Sequence, residues 1–315
     1  MINWDQFVQL TVNGLTDGAI YALIALGFSI VYGILKLLNF AQGDVFMIGS
    51  FIGFFVLTGF GGPDAPVMPI PVLILLMFVF AMIGAGLLGV VIERFAYRPL
   101  RNAPRIAPLI SALGVSFFLQ NSALLLFGPE IRSYDTFELG SGEYAFPSSG
   151  IQWGPLNLSI LRMLTIGLAI ILCVLLTLLV AKTQIGKAMR ATAVDREAAT
   201  MMGIDTDRVI AFAFFVGSAI SGAAGVMFGL LLDNISNTIG FENGLKAFTA
   251  AVIGGIGSIP GAMLGGLLVG LAEAYSAGYL PGGVTFQDVW VFSLLVLVLL
   301  IRPTGLLGKT DIRKV

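Results

Sequence analysis

The feature that most limits how this chain can fold is the separation of its charge from its apolar runs. Seven stretches read as membrane helices: Gly14–Leu35, Val45–Phe60, Pro71–Ile92, Ile106–Phe127, Ile160–Ala181, Val209–Leu232 and Val289–Ile301. About 20 apolar residues suffice to cross a hydrocarbon core of ~30 Å. A further Gly-rich region, 247–279, holds two shorter apolar pieces broken at Pro260. Charged residues make up 11% of the 315, against roughly 25% in soluble domains. Lipid offers backbone groups no partner, so such a chain must close its hydrogen bonds inside helices. The expected fold is an all-α polytopic integral membrane protein with eight or nine membrane helices, some of them short, broken and Gly-rich. One transmembrane domain covers 1–315.

The basic residues orient it. Arg94, Arg98, Arg101 and Arg105 form one block, Lys182 to Arg208 hold five more, and Arg302, Lys309, Arg313 and Lys314 close the chain. Thirteen of the seventeen Lys and Arg residues fall in these three segments, so all three are expected on the cytoplasmic side. The 128–159 segment carries Arg132 against Glu130, Asp135, Glu138 and Glu143 and is expected outside, in the periplasm. Between the outward helix 209–232 and the last, inward one, an even number of crossings must lie. Region 247–279 is then either two short spans or a re-entrant hairpin, and the side of the N-terminus depends on whether 45–60 crosses fully.

Composition also excludes several kinds of chemistry. A net charge of −1 gives nucleic acid no attractive surface. There is no histidine, the commonest acid–base group and metal ligand, and no carboxylate cluster of metal-binding spacing replaces it. No nucleophile–base set of an enzyme remains. Cys173 sits alone in an apolar run and reads as a packing or lipid-facing residue. Nucleotide-like patterns fail on inspection: Gly308-Lys309-Thr310 has Pro303 where a phosphate loop needs glycine, and Gly255-Ile256-Gly257 meets Pro260 at the third glycine. No ATP, metal or other cofactor is expected on this chain. If transport is driven by ATP, another subunit must supply it.

Three sets of residues stand out. The first is the 182–208 loop, with nine charges in 27 residues. Within it, Asp195 is a good N-cap, Glu197 sits in the first turn, Ala198 and Ala199 propagate, and Gly203 can close the helix. Arg190 and Arg196 add positive charge beside it. The second set is Gly261-xxx-Gly265 and Gly266-xxx-Gly270, with Gly225-xxx-Gly229 repeating the spacing; small residues let helices approach closely in lipid. The third is the polar set Asn39, Gln42, Asp44 and Glu273, with Asp17, which are costly in a membrane unless they face water or a partner. These are pathway candidates. A loose echo between Asn39–Gly49 and Gly257–Gly265 points to two inverted halves built on interrupted helices.

Glu-Ala-Ala, three residues, then Gly resembles the cytoplasmic loop by which ABC-importer permeases contact their ATPases. The flanking Gly186-Lys187-Ala188-Met189-Arg190-Ala191 and Gly203-Ile204-Asp205-Thr206-Asp207-Arg208 resemble the branched-chain amino acid ABC permease family, the LivHM permeases. So do Asn39-Phe40-Ala41-Gln42-Gly43-Asp44, Glu93 to Arg101, Lys246 to Ala262 and Arg302-Pro303-Thr304-Gly305-Leu306-Leu307-Gly308. The likeness runs along nearly the whole chain and is least in 128–159. A longer importer pattern is absent, since Ala213 stands ten residues after Gly203, which leaves the importer subclass open.

The resemblance implies a permease subunit in the bacterial inner membrane that moves leucine, isoleucine or valine by alternating access. It also implies a second, LivM-like permease, two ATPase subunits (LivG- and LivF-like) that hold ATP and Mg, and a periplasmic binding protein. On this reading 182–208 is the ATPase-coupling loop, and 128–159, with Tyr134, Tyr144 and Trp153, meets the binding protein. The competing reading is an ion-coupled secondary transporter or channel subunit. It would need several polar groups gathered mid-membrane.

Overall fold

The computed structural model describes residues 4–62, 68–101, 103–104, 106–134, 151–153, 156–158, 160–280 and 282–308. Arg105, Tyr144, most of 128–159 and everything beyond 308 lie outside the described residues. Eleven α-helices account for most of the rest: α1 Trp4–Leu35, α2 Gln42–Gly59, α3 Ile70–Ile92, α4 Ile106–Phe127, α5 Ile160–Lys182, α6 Gln184–Val194, α7 Arg196–Met201, α8 Thr206–Leu232, α9 Ile239–Gly254, α10 Ile259–Tyr279 and α11 Gln287–Ile301. Eight helical segments among the described residues are long and apolar enough to cross a membrane. The ninth candidate, α9, has 16 residues, about 24 Å at 1.5 Å per residue.

α1 and α8 form the axis of the bundle, each with 78% of its apolar window buried, whereas α11 has 6%. The perimeter helices α4, α5 and α11 show bare apolar faces such as Leu125 and Leu300, as lipid contact requires.

Gly27 of α1 lies on Gly217 and Ser221 of α8, and Gly217 lies on Ile30, so these two helices run antiparallel. α10 runs antiparallel to α1, with Gly266 on Ala22 and Gly270 on Gly14 and Gly18. α3 does the same beside α8, with Ala81 and Ala85 on Gly222 and Gly89 on Ser218. The halves α1–α3 and α8–α10 therefore repeat one arrangement in opposite directions.

Their breaks match as well. α1 ends at Lys36 with φ 55°, and α8 ends at Asp233 with φ 65°. That left-handed region is unfavourable for a residue with a Cβ, so each break carries a cost. Six residues follow each break start, 36–41 and 233–238, before α2 and α9 begin. The repeat thus pairs Asn39–Gly43 with Ser236–Gly240, not with Gly257–Gly265 as the sequence echo suggested. A register set by backbone reversal was hidden because the two connectors share little side-chain chemistry beyond Gly43 and Gly240.

Three further expectations are corrected. The break in 247–279 falls at Gly255–Ser258, where Gly255 and Gly257 have φ 102° and 89°. Pro260 instead sits in the first turn of α10, where its missing N–H costs nothing, and Ser258 Oγ caps the same turn by accepting from Gly261 N at 3.2 Å. Region 247–279 is not two equally short spans: α10 is a full-length helix, and the short one, α9, begins before the region, at Ile239, within the bundle and against the first turn of α2. Tyr134 is fully buried between Gly53 and Gly229, its hydroxyl donating to Ser50 O. It fastens the start of the 128–159 segment to α2 and α8 and cannot meet a binding protein.

The small residues of α10 face two neighbours. Gly261 and Gly265 lie on Gly254 and Ala250 of α9, and Gly266 and Gly270 on α1. On α8, Gly225 meets Phe46 and Ser50, while Gly229 meets the Tyr134 ring. A Cβ at Gly270 would collide with backbone atoms of Gly14 and Gly18. Gly270→Leu should therefore cut the yield of folded, detergent-stable protein severely, by a destabilisation on the order of 3 kcal/mol or more, whereas Gly167→Leu, with open space around it, should not. Equal yields would disprove the α1–α10 contact.

Candidate functional site

Two polar constellations and one surface module emerge from this architecture. The first constellation is the point where α2 and α9 start. Gln42 is fully buried and donates from Nε2 to Gly217 O at 3.0 Å and to Ser221 Oγ at 2.7 Å, near the midpoint of α8. Asn39 donates to Gln42 Oε1 at 3.1 Å and accepts from the Tyr97 hydroxyl at 3.1 Å. Gly43 lies directly on Gly240 and Gly244, so two helix N-termini, each with free N–H groups and a positive dipole end, cross inside the bundle. Asp44 supplies the counter-charge: it is wholly buried in the first turn of α2, beside Ser116 and Gln120 of α4 but without a well-formed hydrogen bond. Asn39, Gln42 and Asp44 are thus brought together.

Glu273 belongs to the second constellation, a cleft of about 400 Å³. It lies at the end of the bundle where α8 finishes. Glu273 accepts from the Tyr21 hydroxyl at 2.7 Å and from Lys246 Nζ at 2.7 Å. Lys246 also pairs with Asp288 at 2.9 Å. Asn13, Asp17 and Tyr21 line the cleft from α1, and Glu242, Asn243 and Lys246 from α9. Lys246, Asn13 and Asn243 were missed in the sequence. Their signal was a polar residue every third or fourth position on an otherwise apolar helix, 13-17-21 and 242-243-246, which places them on one helical face.

The surface module is α6 and α7 with the loop into α8, at the opposite end of the bundle. Thr183 caps α6, accepting from Gly186 N at 3.0 Å. Asp195 caps α7, its Oδ1 accepting from Ala198 N at 3.0 Å, and Gly203 has φ 84°. Glu197 and Ala198 are exposed in the first turn, while Ala199 turns inward. Met189 is buried against the bundle, and the Arg190 guanidinium donates to Val180 O.

Asp207, in the first turn of α8, collects three guanidiniums: Arg98, Arg101 and, at 3.2 Å, Arg196. Arg101 also pairs with Glu93, both side chains nearly buried. The block of arginines after α3 is therefore joined to α7 through one carboxylate. Around this joint lies a groove of about 950 Å³ lined by Arg196, Glu197, Thr200, Met201 and Ile204 among others. Val194, Met201 and Met202 stand more than four-fifths exposed (88%, 85% and 82%).

A helical bundle with broken, oppositely directed halves and polar groups at their junction has the build of a solute transporter. Residues 10–302 match the model of the family described as branched-chain amino acid transport system / permease component. The chain belongs to that family. It is 43% identical to the high-affinity branched-chain amino acid transport system permease protein BraD of Pseudomonas aeruginosa, over 98% of both chains. It is 45% identical to the corresponding LivH protein of Salmonella typhimurium and 44% identical to LivH of Escherichia coli K12, again over 98% of each chain. No solved structure matches.

Proposed function

We propose that this chain is the membrane-spanning permease subunit of an ATP-driven importer of leucine, isoleucine and valine in the bacterial inner membrane. Its proposed partners are a second, LivM-like permease, two ABC ATPases (LivG- and LivF-like) carrying ATP and Mg, and a periplasmic binding protein. The observation that carries this reading is the α6–α7 module. It is joined to α8 and to the arginines that follow α3 through Asp207, yet its apolar residues Val194, Met201 and Met202 are bare at a charged end of the molecule, where the bundle does not cover them. A partner protein seated there would move α8 and α3 through that ion-paired joint. α6 also reaches the α9–α10 turn, since Met189 and Arg190 share a small cavity with Gly257 and Ile259. A push on the loop is thereby delivered to both halves of the repeat, as alternating access requires.

The basic-residue asymmetry puts α6, α7 and the C-terminus in the cytoplasm. With that orientation, the antiparallel order of the helices supports an N-terminus and a 400 Å³ cleft that face the periplasm. On a Cys173→Ser background, cysteine at Val194 should resist an impermeant maleimide in intact cells, and cysteine at Glu130 should react. The reverse pattern would invert the molecule.

Reconstituted with its partners, the chain should take up leucine only with ATP. A proton or sodium gradient alone should give no uptake. Gradient-driven uptake without ATP would make the charged cleft a coupling-ion site and support a secondary transporter instead.

A further inference from the structure

The cleft between α1, α9 and α10 has the chemistry of an amino acid recognition site. Its volume, about 400 Å³, falls within the ~300–1,000 Å³ typical of small-molecule pockets. Its polar rim is unusual for a membrane bundle. Asp17, Glu242 and Glu273 line it and Asp288 pairs with Lys246 beside it, so among the described residues four carboxylates stand against two nearby cations, Lys246 and Arg162, and the cleft carries an excess of negative charge.

Most of these groups are already engaged. Glu273 is bound by Tyr21 and Lys246, and Arg162 donates to Asn13 Oδ1 at 2.5 Å. Asp17 makes no hydrogen bond or ion pair among the described residues, although it lies within electrostatic reach of Glu273, Arg162 and Lys246. An ammonium carries three donors, and Lys246 uses two, to Glu273 and Asp288. One is left. The opposite wall is apolar: Ile20, Phe228, Leu232 and Ile239.

We infer that this cleft is a transit site for the free amino acid. Asp17 receives its α-ammonium, the third N–H of Lys246 receives its α-carboxylate, and the wall of Ile20, Phe228 and Ile239 takes the branched side chain. The inference rests on the amino acid import reading above and adds to it a place and three contacts. The arrangement selects a zwitterion with an apolar side chain. A fatty acid lacks the cation for Asp17, and a cationic amine lacks the anion for Lys246. Glu273 acts as a positioning residue: it holds the lysine and leaves the free donor directed at the cleft.

The test uses the complex reconstituted with its partner permease, ATPases and binding protein. Asp17→Asn keeps the side-chain shape and breaks no hydrogen bond or ion pair among the described residues. It should lower ATP-driven leucine uptake by about tenfold or more, the loss expected for one charged hydrogen bond, in a complex that still assembles with its partners. Undiminished uptake overturns the site. So does a parallel loss of uptake and assembly, which would make Asp17 a folding residue.

A second variant does not depend on Asp17. Ala277→Cys, which lines the cleft, is placed on a Cys173→Ser background, and its rate of maleimide labelling is followed. Saturating leucine should slow labelling, and 4-methylpentanoate, which lacks the ammonium, should slow it far less. Equal labelling with and without leucine, in a complex whose wild type imports leucine, overturns the site alone. A wild type with no ATP-driven import overturns the functional reading instead.

Discussion

Gly43→Leu should abolish the folded protein. A Cβ at Gly43 would strike Gly240 O and stand 2.8 Å from Gly244 Cα, and both obstacles are backbone. From the other side, a Cβ at Gly240 would stand 2.8 Å from Asp44 Oδ1 and 2.9 Å from Gly43 O. No rotamer change relieves a backbone collision. Any shift of the first turn of α2 that relieves this collision would also strain the bonds of Gln42 to Gly217 and Ser221 of α8, where an unpaired buried amide costs ~1–3 kcal/mol. The combined destabilisation, on the order of 5 kcal/mol, belongs to the rare severe class of single substitutions. Size-exclusion chromatography in mild detergent should show aggregate where the wild type is monodisperse. Gly114→Leu, with open space at its Cβ position, serves as the control. A monodisperse Gly43→Leu protein would show that the two helix N-termini do not cross at contact distance.

The second large effect concerns the α6–α7 module, and here function should be lost while the fold survives. Gly203 has φ 84° and nothing within 4 Å of its Cβ position. Gly203→Val therefore meets no steric obstacle from neighbours, only the left-handed backbone penalty of roughly 1–2 kcal/mol. That penalty is confined to the end of α7. Glu197→Lys reverses a charge in an exposed first turn and costs ~0.3–1 kcal/mol locally. Expression and membrane insertion should stay near normal in both. Uptake in the reconstituted complex should fall steeply, and the ATPase subunits should be lost on purification. Arg190→Ala should act more mildly, because Arg190 is an exposed residue of α6 whose guanidinium is already engaged by Val180 O, and α7 itself is left unchanged. Undiminished uptake in both severe variants would reduce α7 to a connector and remove the main support for the ATPase contact.

The cleft experiment and these two predictions probe different ends of the molecule. Gly43 and Gly240 hold the halves together, α7 is the proposed partner contact, and Asp17 and Lys246 are the proposed contacts of the cargo. The α7 variants and Asp17→Asn lie at opposite ends of the bundle and should behave independently in combination, whereas Gly43→Leu acts on α9, which also lines the cleft.

The sequence by itself determined everything that depends on near neighbours or on solvent. Apolar runs located most span ends to within a few residues, with Ile106–Phe127 unchanged, because lipid selects for composition over one continuous segment; the exception is α1, which begins at Trp4 and not at Gly14. Asp195 as a cap and Gly203 as a left-handed terminus were legible because each acts within one helical turn. Pro260 was misplaced because proline ends a helix from inside but is welcome in its first turn, and only the position of Ser258 as the cap separates the two cases.

What the tertiary structure decided is depth and company. That α2 starts near the middle of α8, that Gly43 meets Gly240, that Tyr134 is buried, and that Asp17, Lys246 and Glu273 share one cleft all follow from contacts between residues far apart along the chain. In a membrane the apolar effect gives helices little reason to choose one another. Close backbone packing and a few buried hydrogen bonds make that choice, and spacings such as Gly261-xxx-Gly265 tell that a helix packs closely but not against which partner.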